Sequence, residues 1–321
     1  MIFTEENLRY CLLSWDPYEE HTGNSYGGEP LPISGLYNWA NALGGVRKYP
    51  SCPEELADYN LFHINITARN LLLLSTFLKQ KPKGAKLILN IDFAVELWRS
   101  AFTHPDFLLD QIDRADYIFS VEPLMAEILG TALKRNVACI PHPVSVEQLI
   151  LKRKERRLNQ IGFALHRYDM NDVVPAFVAR QLPAGFQTIA LGSTETKRNL
   201  LHMYTFMKES CAFEELMELT SSLYAVYETY TIHSYGRYSV ECAALGVPCV
   251  GPAMVSSIKD CFPDLALQEP NDVNGGARLL NKLIAEPEFY LDVISKATER
   301  VQKYSLKESR KRLLTFLNTG A

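Results

Sequence analysis

The chain has 321 residues, of which 47% are hydrophobic and 22% charged, with a formal net charge of -4 at pH 7. This length predicts two ordinary domains, and this composition is typical of a globular protein in water. The slight negative charge excludes a global field that attracts nucleic acid. The apolar run NLLLLSTFL is too short to cross a bilayer, so no transmembrane segment is expected, and the first ten residues lack the pattern of a secretory signal.

The seven cysteines show neither a C-x-x-C pair nor the spacing of a metal finger. They are expected to be free thiols in a reducing compartment, which favours a cytoplasmic location. The basic run LKRKERRL, at residues 151–158, is a local exception to the acidic balance. It indicates either a solvated face or linker helix, or a patch that faces an anionic acceptor or a membrane surface. A peripheral position at a membrane therefore stays open.

Short apolar runs alternate with helical patterns in the first half of the chain. The predicted strands are RYCLLSW, YNLFHIN, AKLILNI, DYIFSV and VACIPH. The predicted helices are PISGLYNWANAL, ARNLLLLSTFLKQ, VELWRSAF and PLMAEILGTALKR. Because the strands are almost continuously apolar, this alternation predicts a parallel sheet that is covered on both faces.

The second half repeats the alternation with a new set of elements. Its predicted strands are QIGFALHRY, FQTIALGS, LYAVYETY and VPCVGP. Its predicted helices are DVVPAFVARQL, FEELMELTSS, YSVECAAL and GGARLLNKLIAE. The prolines of PHPV and the charged run separate the two sets, so we expect Rossmann-like α/β domains at residues 1–143 and 144–304. Ligands of such sheets bind outside the carboxyl ends of the strands, which in two facing domains predicts a central cleft.

The segment TIHSYGRYSVECAALGVPCVGP, residues 231–252, reads as a polar loop, a short helix and a strand. The helix is expected to begin near Gly236 or Arg237 and to end at Leu245, before a glycine and a proline. Free amides and the helix dipole favour a phosphate at its start. Glu241 lies roughly 7 Å further along the axis, at the right place to bind the ribose of the same ligand. The alternative is a routine crossover helix whose Glu241 points to solvent.

The same segment resembles the C-terminal pattern E-x-F-G-x-x-x-x-E-A-x-A-x-G-x-P-V-V of GT-B glycosyltransferases, and is most similar to the large retaining glycosyltransferase family 4. The matching positions are Gly236, Glu241, Ala244, Gly246, Pro248 and Val250. IPHPV resembles the family's linker, and residues 267–305 resemble the tail that follows its donor site. SYGGEPLPISGLYNWANAL resembles its glycine loop and first helix. The likeness covers most of the chain.

The resemblance implies a hexosyltransferase that moves a sugar from a nucleotide-diphosphate sugar to a hydroxyl acceptor, with retention favoured over inversion. The second domain would bind the nucleotide sugar, the first would bind the acceptor, and the last helix, 305–321, would cross back to the first domain. No cofactor or metal is expected, because helix dipoles and basic side chains would take the place of a cation on the diphosphate. A glycan, a lipid-linked sugar, a small metabolite and a modified DNA base all stay open as acceptors.

The resemblance also assigns residues to the donor, and these are Gly27, Gly28, Arg167, Ser234, Tyr235, Gly236, Arg237 and Glu241. For Gly27 and Gly28 an ordinary turn is the alternative. The sequence departs from the family at His233, where a glutamate usually faces the transferred sugar. It also lacks the usual lysine after Arg167, and Lys197 or Arg198 is the candidate substitute.

Asp92 and His233 are the candidate catalytic residues. Asp92 follows a predicted strand, where it would orient the acceptor or act as its base, and an N-cap of the next helix is the alternative. His233 would contact the transferred sugar, with an ordinary loop histidine as the alternative. Of the other histidines, His63 is predicted in the core of a strand, His104 in a turn and His142 in the hinge.

Two rival functions stay open at this stage. A nucleotide-sugar epimerase shares the two-domain layout. A catalytically degenerate protein that only binds a nucleotide sugar is favoured by the histidine in place of the family's glutamate.

Overall fold

The computed structural model describes residues 2–13, 35–48, 56–66, 70–92, 94–97, 105–154, 158–165, 173–192, 203–208 and 212–320. The chain divides into two units, one formed by residues 1–145 together with 304–321, the other by residues 146–303. Each unit is built on its own six-stranded sheet, in which all described strand pairs are parallel.

The sheet of the first unit has the strand order β2-β1-β3-β4-β5-β6. Its strands are β1 Tyr10–Leu13, β2 Val46–Lys48, β3 Leu61–Ile66, β4 Lys86–Ile91, β5 Tyr117–Ser120 and β6 Ala138–Cys139. Its helices are α1 Asn38–Leu43, α2 Asn70–Gln80, α3 Pro105–Ile112, α4 Pro123–Leu133 and, at the end of the chain, α12 Leu306–Thr319.

The two faces of this sheet differ in character. On one face, apolar side chains of β1, β3 and β4 pack with those of α2, α3 and α4 in a continuous core. Because successive side chains of a strand point to opposite faces, Tyr10, His63 and Asn90 lie on the other face. That face also holds the ring of Trp39 from α1, which packs against His63 and Phe119.

The last helix belongs to the first unit. The Val144 amide donates to the Tyr304 carbonyl (2.8 Å), and Val144 and Ser305 form a parallel bridge. The helix ends beside the amino terminus, where Asn318 and the Phe3 backbone exchange two hydrogen bonds, of 2.7 and 2.8 Å.

The sheet of the second unit has the order β12-β11-β10-β7-β8-β9. Its strands are β7 Gln160–Leu165, β8 Gln187–Gly192, β9 Phe206–Lys208, β10 Ala225–Glu228, β11 Cys249–Pro252 and β12 Ala266–Leu267. Its helices are α5 Val146–Leu151, α6 Val173–Ala179, α7 Phe213–Ser222, α8 Arg237–Leu245, α9 Ser256–Cys261, α10 Val273–Ala285 and α11 Pro287–Arg300.

Helix α8 begins and ends where the sequence predicts. Every residue after Arg237 is buried, which is why the sequence from Tyr238 to Leu245 is apolar on nearly all sides. Gly246 ends the helix in the left-handed conformation (φ 69°), as expected for a C-terminal glycine.

Six short elements were not expected from the sequence: the strands β2, β9 and β12 and the helices α3, α5 and α9. The three strands have two or three residues each and lie at sheet edges, so they need no continuous apolar run. Of the predicted helix VELWRSAF, the structure describes residues 95–97, which form one turn of 3-10 helix. Among the described residues, no helix is long and apolar enough to cross a membrane.

Candidate functional site

The loop between β10 and α8 is fixed by backbone hydrogen bonds to the start of α9. The Ser234 amide donates to the Met254 carbonyl (3.4 Å), and the Ser256 amide donates back to the Ser234 carbonyl (2.9 Å). The Ser257 amide donates to the Tyr235 carbonyl (3.1 Å). The predicted donor-binding residues Ser234 and Tyr235 therefore lie in a defined loop at the carboxyl end of β10.

Gly236 caps the start of α8 with φ at 74°, a conformation that strongly favours glycine. A Cβ atom on this residue would lie 2.0 Å from Cγ1 of Val255 and 2.6 Å from Oγ of Ser257. Its carbonyl accepts hydrogen bonds from Ser239 (2.7 Å) and Ser257 (2.6 Å). Protein atoms thus fill the space that a side chain at position 236 would occupy. This close packing, together with the positive φ, is the reason that a glycine is needed here.

The start of α8 retains the features of an anion site. The glycine N-cap offers no side chain to the amides of the first turn, where the positive end of the helix dipole lies. Arg237, the first helical residue, has a side chain that is 43% exposed. The exposed cation and the helix end therefore lie together, in an arrangement that would suit a phosphate.

Glu241 lies one turn further along α8 and is 1% exposed, so the alternative in which it points to solvent is wrong. Its Oε1 is 3.0 Å from Nε of Arg237, in an ion pair that leaves Oε1 without an aligned hydrogen bond. Burial raises the pKa of Glu241 to about 7, and the charge of Arg237 opposes this rise. Because the described partner of this buried carboxylate, Arg237, is half exposed, it could give way to a ligand.

The other predicted donor residues are only partly described. His233 is a half-buried residue of the loop before α8. Gly27, Gly28 and Arg167 lie outside the described residues, as do the substitutes Lys197 and Arg198 and the predicted turn residue His104.

The described residues of the basic run are bound within the second unit. Arg153 donates to the Ala244 carbonyl (2.8 Å) at the end of α8 and to Thr298 of α11 (3.0 Å). Lys152 pairs with two glutamates of α7, and Lys154 with one of them. Residues 155–157 of the run are not described. The charges of residues 152–154 thus serve the unit's own helices, which weakens the case for an anionic surface as their partner.

In the first unit, Asp92 directly follows β4 and its side chain is 41% exposed. Its Oδ2 accepts a hydrogen bond from Nε2 of His142 (3.0 Å). His142 follows β6 and is buried, and its Nδ1 accepts from the indole N–H of Trp39 (3.1 Å). The predicted hinge histidine is therefore a core residue that contacts a predicted catalytic residue.

A second polar group lies on the same face of the sheet. Tyr10 donates to Nδ1 of His63 (2.6 Å), and Nε2 of His63 donates to Asn90 (2.7 Å), whose amide group donates to Asn65 (2.8 Å). Burial, together with the nearby His142 ring, lowers the pKa of His63 to about 3. His63 is thus a neutral, fully hydrogen-bonded core residue, which confirms the prediction for it.

Comparisons with known proteins identify the fold. No protein-family model matches the chain, and no curated protein matches it. Among solved structures, Anabaena HepE in complex with UDP and glucose superposes with a TM-score of 0.71 at 13% identity, covering 97% of this chain and 99% of that one. Sucrose-phosphate synthase from Thermosynechococcus elongatus superposes with 0.66 at 14% identity, covering 97% and 98%. The protein has the GT-B fold.

A third GT-B structure, an alpha-glucosyltransferase in complex with UDP-glucose and DNA containing an abasic site, superposes with a TM-score of 0.65 at 10% identity, covering 97% of this chain and 99% of that one. The predicted GT-B architecture of two Rossmann-like parallel sheets is therefore confirmed. At such low identities the likeness establishes the GT-B fold alone, and membership of glycosyltransferase family 4 stays a prediction. Within the described part of this GT-B chain, no group of three or more His, Cys, Asp or Glu residues is arranged to hold a metal ion.

Proposed function

We propose that the protein is a glycosyltransferase of the hexosyltransferase type, which uses a nucleotide-diphosphate sugar as donor. The observation that carries this proposal is Glu241, a buried carboxylate one turn inside a glycine-capped helix at the carboxyl end of β10. Ligands of open α/β sheets bind at this edge. The GT-B structures that contain UDP and glucose, or UDP-glucose, support a nucleotide sugar as the ligand.

Arg237 and Glu241 would bind different parts of the donor. The ribose hydroxyls would donate to the Glu241 carboxylate, while the diphosphate would rest on the start of α8. Arg237 is half exposed, so its guanidinium can leave the carboxylate for the phosphates, where it would help to replace a metal ion. Arg167, Gly27 and Gly28 are proposed as further donor contacts, and His233 as a contact of the transferred sugar.

Transfer joins the acceptor oxygen to C1 of the sugar and breaks the bond from C1 to the β-phosphate oxygen. The nucleoside diphosphate leaves with the electron pair of that bond. We propose retention, in which the leaving phosphate takes the acceptor proton and Asp92 orients the acceptor hydroxyl; in an inverting transfer Asp92 would take the proton itself. The acceptor is a hydroxyl compound whose class stays open, and a cytoplasmic location remains a prediction from the sequence.

Titration calorimetry with UDP and UDP-glucose, together with a thermal-shift screen of other nucleoside diphosphates, tests the donor site. We expect binding by the wild type and a loss of the order of 100-fold in Glu241→Gln, because hydrogen bonds to a charged group contribute about 1.5–3 kcal/mol each. Glu299→Gln, an exposed glutamate of α11, is the matched control and should bind like the wild type. Unchanged affinity in Glu241→Gln, or no nucleotide that shifts the melting temperature of the folded wild type, would contradict the proposal.

Because His233 stands where the family has a glutamate, a second candidate function stays open, namely the binding of nucleotide sugars without their transfer. The wild type would then bind UDP-glucose but release no UDP with any acceptor or with water. An epimerase would instead yield an epimerised nucleotide sugar without an acceptor, which nuclear magnetic resonance of the free nucleotide sugar detects.

A further inference from the structure

Three side chains of the first unit form a chain of hydrogen bonds that ends at the surface. Trp39 of α1 and His142 are buried, whereas Asp92 has a side chain that is 41% exposed. The indole Nε1 lies 3.1 Å from His142 Nδ1, and His142 Nε2 lies 3.0 Å from Asp92 Oδ2. We name these three residues the Asp92 relay.

The direction of each hydrogen bond in the Asp92 relay is fixed by chemistry. An indole nitrogen can only donate, so Nδ1 of His142 must be the acceptor and carries no proton. The ring proton therefore lies on Nε2, which points to Asp92. The buried tryptophan thus selects the one tautomer of His142 that can donate to the exposed carboxylate.

The support behind His142 is rigid. Asn38, next to Trp39 in α1, donates to the Pro143 carbonyl (3.0 Å) and accepts from Ser145 (3.3 Å). The Trp39 ring packs edge-on against Phe119, with ring centroids 5.8 Å apart. The His142 ring and the two contacts that follow it in the chain, at Pro143 and Ser145, are therefore all held by α1.

We propose that His142 is a positioning residue that holds the Asp92 carboxylate in one rotamer, with the Trp39 indole holding His142 in the required tautomer. This inference rests on the proposed function, in which Asp92 orients the acceptor hydroxyl. A hydrogen-bond donor fixed by buried neighbours restricts the rotation of the Asp92 carboxylate, whose side chain is 41% exposed and so within reach of an acceptor. Holding a catalytic group in productive geometry lowers the cost of reaching the transition state.

Two substitutions of His142 separate positioning from packing. In His142→Gln, the amide nitrogen reaches about as far as Nε2 and keeps a donor toward Asp92. In His142→Asn, the shorter side chain keeps an acceptor near Trp39 but loses that donor. Both variants cost the core a similar amount of ring packing, so a difference between them reports the hydrogen bond to Asp92.

The measurement is turnover of UDP-glucose by the full-length protein, with water as acceptor, together with calorimetric binding of UDP. We expect His142→Asn to lower kcat by about 10-fold to 100-fold with an unchanged KM for UDP-glucose, and His142→Gln to restore kcat to within a few-fold of the wild type. Asp92→Asn sets the floor, and adding His142→Asn to it should lower kcat no further. All variants should bind UDP like the wild type.

Trp39→Phe tests the inner end of the relay without touching the residues that face the acceptor. It keeps an aromatic ring but removes the indole N–H, so His142 is released to the other tautomer. A drop of a few-fold in kcat is expected, with a second protonation pattern of the His142 ring in nitrogen-15 spectra. This variant also keeps the proposal testable if His142→Asn does not fold.

Each outcome has a distinct meaning. Equal kcat values in His142→Asn and His142→Gln, or an additive loss in the double variant with Asp92→Asn, would overturn the positioning role while leaving the glycosyltransferase in place. An unchanged kcat and a single ring tautomer in Trp39→Phe would remove Trp39 from the proposal. A folded wild type that neither binds UDP nor turns over UDP-glucose would overturn the proposed function, and with it the reaction for which Asp92 is held.

Discussion

The two candidate sites hold their carboxylates in opposite ways. Asp92 is half exposed and accepts a hydrogen bond from a buried histidine with a defined tautomer. Glu241 is buried, and its described partner is the half-exposed Arg237, at a geometry that leaves Oε1 without an aligned hydrogen bond.

This contrast indicates which site is built before the ligand arrives. The groups behind Asp92 already satisfy one another's hydrogen bonds, so binding an acceptor there would require little rearrangement. Arg237 compensates only part of the cost of burying Glu241, as its raised pKa shows, and hydroxyl donors of a ligand would relieve the rest. The first unit thus offers a preformed group, and the second a group that a ligand with hydroxyl donors would stabilise.

The largest effect is expected at the glycine that begins α8. Gly236→Ala would place a methyl group 2.0 Å from Val255 at a φ of 74°, so we expect a loss of about 4 kcal/mol in the free energy of unfolding, combining backbone strain with overpacking. Gly185→Ala has a similar positive φ but open space, and should lose only about 1 kcal/mol. Urea unfolding of both variants measures the difference. Equal losses would mean that the start of α8 is not tightly packed.

The variant Glu241→Gln tests how much the ionised, buried carboxylate lowers the free energy of unfolding. The folded pKa of Glu241, about 7, lies above the ordinary glutamate value of 4.5, so the folded state holds the proton more tightly, and stability is lost as pH rises from about 4.5 through 7. The glutamine variant avoids this loss. It should equal the wild type in stability near pH 4 and exceed it by about 3 kcal/mol at pH 8.

Urea unfolding across this pH range provides the measurement for Glu241→Gln, with Glu299→Gln as a control that should follow the wild type. A stability difference that does not grow with pH would show that Arg237 fully compensates the charge of Glu241. The comparison between the two sites would then lose its basis.

The smallest expected effect on the free energy of unfolding concerns His63, which lies on the same face of the sheet as the Asp92 relay. The folded pKa of His63, about 3, lies below the ordinary histidine value of 6.5, so its contribution to stability is complete above pH 6.5 and is lost as pH falls. Protonation of Glu241 stabilises the protein over the same pH range, so the measurement uses the Glu241→Gln variant. In that variant the loss of stability due to His63 should reach about 2 kcal/mol between pH 6.5 and 5. Adding His63→Gln should flatten that slope. A slope that persists in the double variant would assign acid sensitivity to other groups.

Much of the second unit's site could be predicted from the sequence. Glycine and proline after Leu245 fixed the end of α8, and the apolar surroundings of Glu241 followed from a helix that is buried on nearly all sides. The pairing of Arg237 with Glu241 was also readable, because residues four apart on a helix are neighbours. The protein contacts of Gly236, by contrast, depend on the position of α9, which no local pattern of the sequence gives.

The first unit's site was harder to predict because its parts come from distant segments. Asp92 and His142 follow strands that are separated in the sheet by β5, so nothing local brings them together. The sequences of β3 and β4 do contain a sign of this polar face. In β3, His63 and Asn65 alternate with apolar residues, and the same alternation places Asn90 in β4 and Asp92 directly after it. Polar residues at alternate positions of buried strands indicate a hydrogen-bonded row on one face.

The bridge between Val144 and Ser305 brings together the points where the polypeptide leaves the first unit and returns to it. Residues 146–303 thus have the form of a domain insertion whose two ends are adjacent. A short linker between residues 145 and 304 would excise this insert without stretching the remaining chain. We therefore expect the two units to be separable as two polypeptides, so that nucleotide binding can be measured on each of them.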